Sequence, residues 1–139
     1  MIDKKPNESY QEWRDRVIDK ISPSFCGAKW YNSTIWLNSG STASCHHPPA
    51  HKIPLDEVKN NFKAIHNTKY KKMVRKQMLD GERPKECEYC WKVEDLGKNY
   101  VSDRTYKSVI YKEQALEEAK TKYSYTEDVP LKTLEIAFD

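Results

Sequence analysis

Apolar residues recur three and four positions apart at Tyr10, Trp13, Val17 and Ile21, with Glu12, Arg14, Asp15 and Lys20 between them. That spacing predicts an amphipathic helix over residues 9–21, capped by Asn7 or Ser9 and ended at Ser22-Pro23. From Phe25 the period changes. A polar–apolar run passes through Thr34-Ile35-Trp36-Leu37, and Asn38-Ser39-Gly40-Ser41 has the composition of a hairpin turn, from which Thr42-Ala43-Ser44 returns. Pro54 opens a helix with Val58, Phe62 and Ile65 on one side. A second helical pattern over residues 69–79 stops at Asp80-Gly81. Residues 114–122 pattern as a short polar helix, and Leu134, Ile136 and Phe138 alternate as in a strand. Together these elements predict a small α+β unit, a β-hairpin and irregular loops packed by three or four helices.

Composition narrows the class. The 139 residues suffice for one modest core, and 37% hydrophobic against 32% charged residues is polar but not disordered. Four Trp, nine Tyr and three Phe supply core volume that the sparse aliphatics do not. A net charge of +3, with acids and bases interspersed, gives no reason to expect a nucleic acid or membrane partner. The start, Met1-Ile2-Asp3-Lys4-Lys5-Pro6, has no apolar leader, and no stretch is long and apolar enough for a span, so a cytoplasmic protein is expected.

In that compartment four cysteines read as metal ligands rather than bridges. Cys26 and Cys45 flank the hairpin, whose two strands lead the chain out and back, and Cys87-Glu88-Tyr89-Cys90 is a C-x2-C pair. Four thiolates are what a tetrahedral metal ion or a cubane cluster needs. An iron–sulfur cluster is the leading expectation. Zinc is the alternative, although zinc modules usually pair two short knuckles and only Cys87/Cys90 is one. Plain buried thiols are the third.

The arrangement Cys26-x13-Gly40-x4-Cys45 followed by C-x2-C resembles the auxiliary-cluster motif of radical S-adenosylmethionine enzymes, the SPASM domain and its shortened twitch form. Phe25-Cys26-x2-Lys29-Trp30, Ser44-Cys45-His46-His47-Pro48, Gly81-Glu82-Arg83-Pro84 and Cys87-x2-Cys90-Trp91-x2-Glu94-Asp95 are similar to a subgroup in which this domain comes first. The resemblance runs from about Pro23 to Asp139. It implies a [4Fe-4S] cluster on Cys26, Cys45, Cys87 and Cys90. It divides the chain into an N-terminal helix (1–22), the auxiliary domain (23–126), and the start of a partial (β/α) barrel (127–139), whose first strand would be Leu134–Asp139. The barrel's catalytic cluster sits on a C-x3-C-x2-C loop, and none occurs in these 139 residues. The expectation is a portion or split half of a radical enzyme, inactive alone. Its partners would be a separate barrel chain and an electron donor, and S-adenosylmethionine would bind only in that barrel. The alternative is a zinc-stabilised protein- or nucleic-acid-binding module.

Around the cysteines, His46, His47, Trp30 and Trp91 are the candidates for tuning the site, His46 first because it follows a ligand. For the four histidines, which include His51 and His66, pairing with backbone carbonyls in a polar turn is the favoured expectation. Trp30, Trp36, Tyr89 and Trp91 are expected to wall the site from water. Lys69, Lys71, Lys72, Arg75 and Lys76 are expected on a solvated helix surface rather than on phosphates.

Overall fold

The computed structural model describes residues 3–138 as a mixed α+β unit. Ser9 caps α1 (Tyr10–Trp13): its hydroxyl accepts from the Glu12 N–H while the Glu12 carboxylate accepts from the Ser9 N–H. The helix continues as a π-helical stretch (Arg14–Ile18) into α2 (Asp19–Ile21), burying Trp13, Val17, Ile18 and Ile21. Gly27–Tyr31, to which the sequence pattern assigned no element, forms α3, entirely buried. Gly27 lets it pack closely, since a Cβ there would lie 2.8 Å from Leu116 Cδ2.

The expected hairpin is present and belongs to a larger sheet. β1 (Asn32–Trp36) pairs antiparallel with β2 (Ser41–Ala43), and Gly40 supplies the positive φ (63°) of the turn between them. β3 (His51–Lys52) extends one side, and β4 (Thr133–Ala137) lies parallel to β1 on the other, giving the order β3-β2-β1-β4. Asp139, at the end of the expected last strand, lies outside the described residues.

The helix expected to run from Pro54 to Ile65 is two pieces, α4 (Leu55–Val58) and a 3-10 turn (Phe62–Ile65), separated at Lys59-Asn60-Asn61. The Asn61 side chain takes the Lys63 N–H and so caps the second piece instead of continuing the first. α5 (Lys69–Leu79) stops where expected, with Gly81 at φ 80°. α6 (Glu88–Glu94) and α7 (Asp103–Val109) carry no strong periodicity and went unread, whereas α8 (Glu113–Thr121) matches its pattern.

One expectation about α5 is overturned. Lys71 and Arg75 share the buried face with Val74 and Met78, at 2% and 0% exposure, instead of lying in solvent. Arg75 donates to the carbonyls of Lys29 (2.8 Å) and His66 (2.7 Å) and to Asn67 Oδ1 (2.9 Å), which satisfies a guanidinium without a carboxylate. Lys71 donates to the hydroxyls of Ser33 and Thr42, both at 2.9 Å. Only the other members of the basic run behave as surface groups, Lys72 with Asp128 and Lys76 with Asp80. No helix among the described residues is long and apolar enough to cross a membrane.

Candidate metal centre

Three separate segments bring the four cysteines to one place. Cys26 precedes the first turn of α3, Cys45 lies in the bends after β2, Cys87 ends a 3-10 turn (Lys85–Cys87), and Cys90 follows on the first turn of α6. The hairpin alone does not close the first pair, because α3 intervenes between Cys26 and β1. All four are buried, none more than 9% exposed, and all line one cavity. They are free thiols.

Burial pushes each thiol up, Cys45 to about 11 and Cys87 to about 12, so without a cation they stay protonated. Opposing that shift, hydrogen-bond donors aim at the sulfurs. The backbone N–H groups of Ala28 and Lys29 serve Cys26, that of His47 serves Cys45, and that of Arg104 serves Cys90. Such donors lower the cost of a thiolate and tune a metal–sulfur group.

The wall is cationic. Lys29 is buried at 2% exposure, lines the cavity and donates to the Glu86 carboxylate, which also accepts from Tyr70. Burial pulls the Lys29 ammonium down, but the Cys87 thiolate and Glu86 outweigh it and its pKa ends raised. Arg104 and Lys107 of α7 reach the same cavity. Arg104 is tied to Glu94 and Asp19, so its charge is partly neutralised.

Sulfur spacing bears on the choice of metal. Among the described residues, the one triad whose ligand atoms all lie within 4.8 Å of one another is His46, His47 and Asp103; no three cysteine sulfurs are that close together. A single tetrahedral zinc with bonds of about 2.3 Å needs its sulfurs roughly 3.8 Å apart. A cubane places one iron at each corner for one thiolate and spreads the sulfurs wider.

The other candidates divide. His47 and Trp91 line the cavity, and the Trp91 indole donates to the Pro84 carbonyl. Tyr89 is half-exposed and stacks on His47, with centroids 4.1 Å apart and planes 10° apart. Trp30 sits in the core against Phe25, its indole N–H on the Tyr123 carbonyl, and does not line the cavity. Trp36, at the far end of β1, does not line it either. His46 lies outside, near Lys107. His66 does pair with a backbone carbonyl: its Nε2–H donates to Trp30 and its Nδ1 accepts from Ser33, while burial drives its pKa down to about 3. His51 packs against Tyr70 with the rings tilted by 39°, and neither ring nitrogen has a partner. Lys29, Asp103, Arg104 and Lys107 were the residues not anticipated. The Cys26-x2-Lys29 spacing was visible, but nothing in Asp103-Arg104-Thr105-Tyr106-Lys107 marks a cavity wall.

Comparison with protein-family models, with characterised proteins and with solved structures finds no match to this chain.

Proposed function

We propose that Cys26, Cys45, Cys87 and Cys90 hold one [4Fe-4S] cluster and that the chain is the auxiliary, electron-transferring portion of a radical S-adenosylmethionine enzyme. The observation that carries the reading is the shared cavity: four buried cysteines from three chain segments, with no three sulfurs within 4.8 Å of one another, walled by Lys29 and Lys107. A cluster with four thiolate ligands is anionic, and a buried ammonium beside it offsets that charge. When bound, the group would accept and release single electrons. With all four corners taken by cysteine there is no open iron for substrate, which favours electron transfer over substrate positioning.

The chain's own residues prepare that role. Backbone N–H groups hold the sulfurs, Lys29 counters the added charge, and Trp91 and Met78 keep the apolar side of the cavity dry. The radical-enzyme part of the proposal rests on the motif resemblance. It draws support from β4, whose Leu134 and Ile136 are half-exposed although parallel strands are ordinarily covered on both faces. Without C-x3-C-x2-C, cleavage of S-adenosylmethionine would need another polypeptide segment.

The test is a set of single Cys→Ser variants, purified without oxygen. Each of the four should lose most of its iron and its brown colour. Iron retained after replacing both Cys26 and Cys87 would refute the assignment. Uptake of one zinc and no iron by the native chain would favour the zinc-stabilised module instead.

A further inference from the structure

Beside the four cysteines stands a second group of metal-binding side chains. His46, His47 and Asp103 each place a ligand atom within 4.8 Å of the other two. The histidines sit on the bent segment after β2, stiffened by Pro48-Pro49, and Asp103 opens α7. His47 is held twice: its Nε2 is 2.6 Å from Asp103 Oδ2, and its ring stacks on Tyr89. The His46 ring lies 4.1 Å from that of His47. Lys107, one helical turn beyond Asp103, brings its ammonium within 3.3 Å of His46 Nδ1.

We propose that His46, His47 and Asp103 form a second metal site, for one divalent first-row transition ion, and that the Lys107 ammonium competes for it. Two imidazoles and one carboxylate suit zinc, cobalt or ferrous iron rather than calcium or magnesium. Bonds of about 2.0–2.2 Å put donor atoms roughly 3–3.5 Å apart, so closing on an ion takes side-chain movements of about 1–2 Å. His46 is exposed and the other two are half-buried, so none of the three is locked in the core. Binding exchanges the His47–Asp103 hydrogen bond for two metal bonds and expels the ammonium from His46. Three protein ligands leave the remaining coordination positions to water or an external ligand. His47 and Asp103 also line the cysteine cavity, so the two sites are neighbours with separate ligand sets.

The test uses the full chain, isolated without oxygen with its cysteine site loaded, stripped of loosely held ions and titrated with Co2+. Iron, sulfide and zinc are measured in the same samples, so a failed cysteine assignment is seen separately. The expected result is one cobalt per chain with weak visible bands and no thiolate-to-cobalt charge-transfer absorption. Its affinity should fall at least about tenfold in His46→Gln and in Asp103→Asn, and rise in Lys107→Met. No uptake by either the native chain or Lys107→Met overturns the proposal. So does uptake that His46→Gln and Asp103→Asn leave unchanged, or a charge-transfer band placing the cobalt on cysteine.

Discussion

Replacing Lys71 by Met should stabilise this protein and remove a pH dependence. The Lys71 ammonium is buried beneath β1 and β2, and its two hydrogen-bond partners are neutral hydroxyls. Burial lowers its pKa to about 7, the nearby Arg75 and Lys29 charges push the same way, and Glu86 only partly opposes them. His66 and His51, the other titratable groups nearby, also have lowered pKa values, and His66 is neutral above about pH 3. Between pH 7 and about 10 the unfolded chain therefore carries a proton on Lys71 that the folded chain has lost. Stability should rise with pH across that window, by about 1.4 kcal/mol per pH unit if Lys71 acts alone. Below pH 7 the full cost of the buried charge remains, on the order of 5 kcal/mol at most.

Met fills the stem's space without the charge, and neither hydroxyl is orphaned. Ser33 keeps His66 Nδ1, and Thr42 keeps the Thr34 carbonyl at 2.7 Å. A gain of about 2 kcal/mol at pH 7 is expected. With a urea slope of about 1–3 kcal/mol per molar, the midpoint should move up by roughly 1 M. The assay is urea unfolding of both proteins without oxygen at pH 6.5, 8 and 9.5. The gap between them should close as pH rises. Parallel curves, or a Met variant that is less stable at pH 7, would refute the reasoning.

Arg75→Lys should lose about 3 kcal/mol, because an ammonium cannot serve the Lys29 and His66 carbonyls and Asn67 at once; thermal unfolding reads this directly. Gly27→Ala, which drives a methyl to 2.8 Å from buried Leu116, should cost about 1–3 kcal/mol and lower the metal content by displacing Cys26; differential scanning fluorimetry and metal analysis check the two effects. Lys29→Met removes a positive charge from the cavity wall, so reduction should become harder. A loss of about 1 kcal/mol is roughly 40 mV for one electron, measurable in a potentiometric titration, and an unchanged or raised potential would contradict the role given to Lys29.

The convergence of the four cysteines on one cavity was legible from residue type and spacing, through the C-x2-C pair and the hairpin between the other two. The hairpin turn at Gly40, the stop of α5 at Gly81 and the polar α8 were legible too, since each has a local chemical signature. What escaped reading was non-local or short. α3 spans five residues, less than two helical turns, so no period develops in it. The pairing of β4 with β1 joins residues about a hundred positions apart, which no local pattern encodes. Lys71 and Arg75 illustrate a different failure. Their spacing with Val74 and Met78 already put them on the apolar stripe, but their charge argued for solvent. Tertiary partners settled the conflict, the carbonyls around Arg75 and the hydroxyls around Lys71. The same holds for the cavity wall, where Asp103, Arg104 and Lys107 acquire meaning only once α7 docks beside α3.

The claim that the four cysteines hold a cluster is tested most directly by purifying the chain without oxygen and measuring iron, sulfide and zinc together with the absorption spectrum. The account predicts about four irons and four sulfides per chain and a broad brown absorption from thiolate-bound iron. A colourless protein carrying one zinc, or no metal at all, would contradict it.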